Sequence, residues 1–264
     1  MINTSRNMSN NRLTRQQLEI INKRTIQYPL PIAEKDYFLA QTTKLIYDSP
    51  LKNKLIFKGG TALHHCYLSQ KRFSEDLDFT SLDSEISKGE VVTILESTGI
   101  FQVKKIYSSK YTLKIERLQY QGLLGQPGNI KLEIDHFQNV VLPGVEKSYK
   151  NVWKIDSTPL VMEKREICAE KIRATSQRAR YRDFYDLYFL IERLKVNYKY
   201  SVALLEKKEV RSPIISENIS NNWLIAKKQM SHDLGNIYCS ESISNQKIER
   251  VIRKIQFSPI KKIS

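Results

Sequence analysis

Two short stretches hold the side chains whose types and spacing could do chemistry. The first is Lys58-Gly59-Gly60-Thr61; the second is Asp76-Leu77-Asp78-Phe79. A glycine turn followed by a D-x-D pair suggests a site for a nucleoside triphosphate and divalent metal ions. Gly59 and Gly60 let backbone approach a ligand and turn N–H groups toward phosphate oxygens. Thr61 can cap the helix that follows or donate its hydroxyl to a phosphate. On a strand, Asp76 and Asp78 share one face while Leu77 and Phe79 enter the core on the other. Paired carboxylates repel unless a cation lies between them, and hard oxygen donors of this kind suit Mg²⁺ or Mn²⁺ held together with substrate phosphates.

A third carboxylate is available downstream. Ile130, Leu132 and Ile134 alternate with Lys131, Glu133 and Asp135, so both acids share the polar face of a strand. If this strand neighbours the D-x-D strand, either acid can join Asp76 and Asp78, and three carboxylates can hold two metal ions for an in-line displacement. Asp135 is preferred because its shorter side chain keeps the carboxylate near the backbone. Farther on, Lys171 and Arg178 fall on nearly one helical face, and Arg173, Arg180 and Arg182 add to a basic stretch suited to phosphates or an RNA backbone. Asp183 is positioned to cap the helix beginning at Phe184.

These residues need elements to hold them. Leu55-Ile56-Phe57 reads as a buried strand before the glycine turn, with helices over 32–47 and 62–68 on either side of the strand and turn, and one over 88–97. Residues 111–120 and 130–136 alternate as two strands joined by a Gly/Pro-rich loop. From Leu160 onward the pattern turns helical, with Phe184, Leu187, Ile191 and Leu194 at helical spacing. The expectation is an α+β protein: a polar arm over 1–31, an α/β domain with a mixed sheet over 32–150, and a helical domain over 151–264 completing a basic cleft.

Composition narrows the partners. The 264 residues carry a net charge of +15, which favours a polyanion. No apolar run approaches the roughly 20 residues that span a bilayer, and the first residues lack the apolar core of a secretory signal. The three cysteines, Cys66, Cys168 and Cys239, are too far apart for a zinc motif or disulfide framework. These features fit a cytoplasmic protein without a membrane partner. His64, His65 and Cys66 lack a second ligand pair and read as helix surface and core.

The segment FKGGTALHHCYLSQKRFSEDLDF, Phe57 to Phe79, resembles the first motif of the AbiEii/AbiGii abortive-infection toxins. These are nucleotidyltransferases of the polymerase-β-like superfamily. EICAEK and RARYRDFYDL, between Glu166 and Leu187, are similar to that family's E-x-x-A-x-K and R-x-x-R-D-x-x-D-L signatures, and Glu34-Lys35-Asp36-Tyr37 is a further match. The resemblance implies that Gly60 and Thr61 line the triphosphate, that Asp76 and Asp78 bind metal, and that Asp135 is the base-like third carboxylate. Lys171 and Arg182 would meet phosphates, and Asp183 would support the site. Thr61 stands where the wider superfamily has serine, which keeps the hydroxyl. The implied activity is nucleotide transfer from an NTP to an acceptor such as the 3′ end of tRNA, blocking translation, with a cognate antitoxin as partner. Transfer to a small molecule or protein hydroxyl, or RNA binding without catalysis, are the other readings.

Overall fold

The computed structural model describes residues 12–82, 86–208, 212–230 and 237–261. The first eleven residues of the expected polar arm lie outside them. The chain forms two compact units. The first comprises residues 1–57, 75–136 and 146–160; the second comprises 58–74, 137–145 and 161–264. Each unit is assembled from three separate segments of the chain. The glycine turn and its helix belong with the C-terminal half, and the D-x-D strand with the sheet.

Unit 1 is built on α2 (Leu30–Tyr47) and on a mixed sheet. The strands are β1 (Leu55–Lys58), β2 (Asp76–Ser81), β3 (Phe101–Ser108), β4 (Thr112–Gln121), β5 (Pro127–Asp135), β6 (Val145–Glu146) and β7 (Leu160–Val161), in spatial order β3-β4-β5-β2-β1-β7-β6. Helix α1 (Arg15–Arg24) opens with a capping box between Thr14 and Gln17, and α4 (Lys88–Glu96) is capped by Ser87. β5 runs parallel to β2 and antiparallel to β4. The expected two-strand run at 111–136 is therefore the β4–β5 hairpin. β3 was not legible as a strand because a bulge at Lys104 breaks its alternation.

Alternation gives the sheet one buried face. Leu77, Phe79, Leu113, Ile115, Leu118, Tyr120, Ile130, Leu132 and Ile134 are all buried. Phe38 of α2 stacks on Tyr120 with centroids 3.9 Å apart, and Phe57 stacks on Phe79 at 5.1 Å. The Glu34–Tyr37 motif anchors this packing. Glu34 accepts from the Leu124 amide at 2.8 Å, Lys35 pairs with Glu75 at 3.1 Å, and Asp36 accepts from Trp153 Nε1 at 2.8 Å. These residues are structural supports.

Unit 2 contains α3 (Gly59–Ala62), which continues as a π-helical turn, Leu63–Tyr67. It also contains α5 (Lys164–Gln177), α6 (Tyr181–Tyr188), α7 (Tyr198–Leu205), α8 (Ser216–Lys228) and α9 (Asn245–Lys254). The helical pattern expected from Leu160 begins instead at Lys164, because Leu160–Val161 is strand β7. A second π-helical turn, Phe189–Arg193, follows α6. Its extra residue per turn shifts the buried face, so Phe189 and Leu190 are buried rather than Ile191 and Leu194. Glu166, near the start of α5, accepts from the Val141 and Leu142 amides at 3.0 and 2.9 Å and pairs with Lys208. Among the described residues no helix is long and apolar enough to cross a membrane.

Gly128 tests the packing of the sheet. A Cβ there would stand 2.2 Å from the Tyr120 ring, which α2 holds in place. Gly128→Ala is expected to cost about 2 kcal/mol through overpacking. Urea denaturation should show a lower midpoint; an unchanged midpoint would mean that Tyr120 is loosely held.

Candidate active site

The D-x-D pair stands on the polar face of β2, and both residues are partly exposed. Strand register fixes their neighbours. Asp76 lies beside Lys131, Asp78 beside Glu133, and Thr80 beside Asp135. Lys114 of β4 lies opposite Glu133, and their side chains pair at 3.1 Å. Thr112 Oγ1 also donates to Glu133 at 3.2 Å. A cavity of about 110 Å³ is lined by Asp76, Asp78, Lys114, Glu116, Lys131 and Glu133 among others. Asp135 is one strand step beyond Glu133 on the same face and does not line this cavity.

The donor chemistry fits a divalent cation: carboxylate oxygens, without sulfur or imidazole, converge on one strand face. Among the described residues no three His, Cys, Asp or Glu side chains are gathered closely enough to hold a metal ion. Asp76 and Asp78 would therefore supply only part of a coordination shell, with the remainder drawn from phosphates and water, the usual situation for Mg²⁺.

Unit 2 holds the other sequence-selected residues. Gly59 has φ +77°, a left-handed backbone open to glycine. Gly60 is buried, and a Cβ on it would lie 2.7 Å from both Arg72 Nη2 and Ser74 Oγ, so close packing requires glycine there. Thr61 is fully buried inside the first turn of α3. It does not cap that helix; Lys58 holds the N-cap position, without a side-chain cap bond.

Lys171, Asp183 and Asp186 form the centre of a buried charge network. Asp186 receives a two-pronged bond from Arg72, with Nε–Oδ1 at 2.8 Å and Nη2–Oδ2 at 2.7 Å. His64 Nε2 lies 2.8 Å from its Oδ1, and Lys171 Nζ 2.6 Å from its Oδ2. Lys171 also donates to Asp183 at 2.9 Å, and Arg178 Nε bonds Asp183 at 2.8 Å. Asp183 is thus not a helix cap, because α6 begins two residues earlier at Tyr181. Arg72 and His64 carry no sequence signal of their own role; only the fold brings them to Asp186. His64, His65 and Cys66 are all buried, so they are core and not helix surface, and His64 in addition bonds Asp186. Arg182 is half-buried.

Burial alone pushes the Asp186 carboxyl up, but Arg72, Lys171 and His64 overcome it and hold it well below its usual value. Asp183 is likewise depressed, with Lys171 and Arg178 overcoming desolvation. Next to Lys171 on α5, Glu170 is pulled down to about 2 against burial by Lys58, Lys208 and Arg173. Burial and the Arg72 charge push His64 down to about 4, against the attraction of Asp186. His64 is then neutral at pH 7, donating from Nε2, and its buried Nδ1 has no hydrogen-bond partner. Arg72 and Lys171 balance the two carboxylates in the buried part of the network, and Arg178 closes it at the partly exposed edge.

The AbiEii nucleotidyltransferase toxin model, describing a type IV toxin–antitoxin system, matches residues 44–231. The chain belongs to the AbiEii nucleotidyltransferase toxin family. Its fold is similar to MenT4, a nucleotidyltransferase toxin from Mycobacterium tuberculosis H37Rv, with a TM-score of 0.68 and 22% identity, covering 90% of this chain and 87% of that one. A candidate nucleotidyltransferase from H. pylori matches at a TM-score of 0.49 and 17% identity, over 83% of this chain and 92% of that one. No curated protein matches the sequence. In this AbiEii protein the family's signature residues divide into two groups: the D-x-D strand of unit 1, and the Lys171–Asp183–Asp186 network of unit 2.

Two outcomes follow from the network. Asp186→Ala strands Arg72 in the interior and leaves Lys171 only Asp183, and should cost about 3–5 kcal/mol, the usual effect of breaking a buried ion pair. Chemical denaturation measures it, and a loss below ~1 kcal/mol would show the network to be solvated. His64 sets the pH dependence. Its folded pKa lies below that of the unfolded chain, so the unfolded state binds the extra proton between about 6.5 and about 4. Stability should fall as pH drops through that window, by up to ~3 kcal/mol. The depressed carboxylates add a further loss that begins near the acid end of that window, at about pH 5, as their unfolded forms protonate. Denaturation midpoints of His64→Asn should be flatter with pH over that window; a slope equal to that of the parent protein would clear His64 of the role.

Proposed function

We propose that the protein transfers a nucleotide from an NTP to an RNA acceptor, the 3′ end of tRNA, and so blocks translation. The observation that carries the reading is a D-x-D pair on a polar sheet face in a nucleotidyltransferase whose net charge is +15. The family supplies the reaction type, and the charge favours a polyanionic acceptor through counterion release. The acceptor hydroxyl oxygen attacks the α-phosphorus, the bond to pyrophosphate breaks, and the hydroxyl proton passes to a carboxylate. Mg²⁺ or Mn²⁺ would be held by Asp76 and Asp78, with phosphate and water oxygens completing the shell and Asp135 as the proposed third carboxylate, and would neutralise phosphate charge and favour the ionised hydroxyl.

Asp135 is the carboxylate assigned to the proton. Glu133 is closer to Asp78 in register, and Asp135 is preferred to it because its shorter side chain keeps the carboxylate near the backbone. Gly59, Gly60, Thr61, Lys171 and Arg182 are assigned to the triphosphate. The fixed position of Lys171 Nζ between two carboxylates supports that role, because a leaving pyrophosphate gains negative charge. Asp183 holds the Lys171 ammonium in place. A cognate antitoxin is the partner expected for such a toxin, and the cytoplasm, where NTPs and tRNA occur, is the compartment of action.

Incorporation of labelled nucleotide into RNA tests the assignment. Asp76→Asn and Asp78→Asn should each lower transfer by a hundredfold or more, on the order expected when charge stabilisation at the reacting centre is lost. Thermal stability should be retained. Asp135→Asn should cost far more activity than Glu133→Gln. Equal losses in the last pair would remove Asp135 from its role, and full activity in both D-x-D variants would sink the reading.

A further inference from the structure

The sheet's outer strand carries a surface that the reaction as described does not use. β3 is an edge strand, and the stretch from Phe101 to Arg117 holds five cations, Lys104, Lys105, Lys110, Lys114 and Arg117, against the single anion Glu116. Two large aromatic side chains stand out of it: Tyr107 is 54% exposed and Tyr111 42%. The Lys110 ammonium sits 4.8 Å from the Tyr111 ring centroid. The bulge between Val103 and Ile106 takes Lys104 out of the ladder and sets it beside Lys105.

Register ties this surface to the D-x-D pair. Tyr107 lies opposite Lys114, Lys114 opposite Glu133, and Glu133 opposite Asp78. The four residues form one row across the polar face of four neighbouring strands. With strands about 4.8 Å apart, Tyr107 is roughly 15 Å from Asp78. A stacked nucleic acid strand covers that length in about four nucleotides, at 3.4 Å each.

We propose that the polar face of β3 and β4 is the landing surface for the acceptor RNA, with Tyr107 stacking on a base and Lys104, Lys105 and Lys114 meeting phosphates on the path to Asp78. The proposal rests on the RNA reading above. Lys105 pairs with Glu116 and Lys114 with Glu133, but both pairs are largely exposed. Exposed pairs of this kind contribute little, so a phosphate can replace the carboxylate partner. Lysines and a bulge on an edge strand also serve to repel a second β-strand. That function accounts for the charge but not for two exposed tyrosines among the lysines, and it weighs against a protein partner adding a strand here. Exposed aromatics interleaved with cations are the means by which single strands are held without base readout.

The test uses the full chain and an RNA substrate that the parent protein labels. Tyr107→Ala should raise KM for RNA about tenfold, as expected when one stacked base is released, with little change in kcat. Tyr107→Phe, which keeps the stacking ring, should behave as the parent does. The double variant Lys104→Ala/Lys105→Ala should reduce the slope of log Kd against log salt by about 1.4, or ~0.7 for each phosphate that is no longer neutralised. All these side chains are exposed, so melting temperatures should not move. If the parent protein labels no RNA, the RNA reading itself fails. If it labels RNA but both variants keep its KM and salt slope, the acceptor lands elsewhere and this proposal is overturned. It is equally overturned if the variants keep those values but lose binding to a partner protein.

Discussion

Asp186 cannot remain ionised inside unit 2 without its partners. Taking a carboxylate out of water costs several kcal/mol, and here the cost is offset by the Arg72 guanidinium, the Lys171 ammonium and the His64 imidazole. Each partner comes from a different part of the chain. His64 follows the glycine turn, Arg72 lies on the segment leading to the D-x-D strand, and Lys171 is on α5. One buried carboxylate therefore fixes the positions of three elements. The glycine at position 60 obeys the same constraint, because a side chain there would displace the Arg72 guanidinium.

The constraint also fixes the position of Lys171, the lysine proposed to meet the triphosphate. Lys171 Nζ is bridged between two carboxylates, each of which also bonds a guanidinium. The ammonium is preorganised, its orientation already set by fixed partners. Such a group stabilises developing negative charge with little reorganisation. The network thus ties the turn after Gly60, α5 and α6 together inside unit 2.

Much of this was legible in the sequence, for physical reasons that differ from residue to residue. Leu77 and Phe79 alternate with Asp76 and Asp78, so the facing of the D-x-D pair followed from the period of a strand. The β4–β5 hairpin announced itself through alternation and a Gly/Pro-rich loop. The partners of Asp186 were hidden, because nothing local to His64 or Arg72 reveals a bond to a residue more than a hundred positions away. Asp183 looked like a helix cap because the hydrophobic period starts at Phe184, whereas the helix begins at Tyr181. β3 was hidden by its bulge, and the shift of the apolar face after Tyr188 by a π-helical turn.

The account turns on whether RNA is the acceptor. Its most direct measurement is incubation of the purified protein with total RNA and each α-labelled NTP in turn, with and without Mg²⁺, followed by gel separation and mapping of the labelled ends. The account predicts Mg²⁺-dependent label at the 3′ end of tRNA. Label on protein or small molecules, with RNA left unmodified, would contradict it.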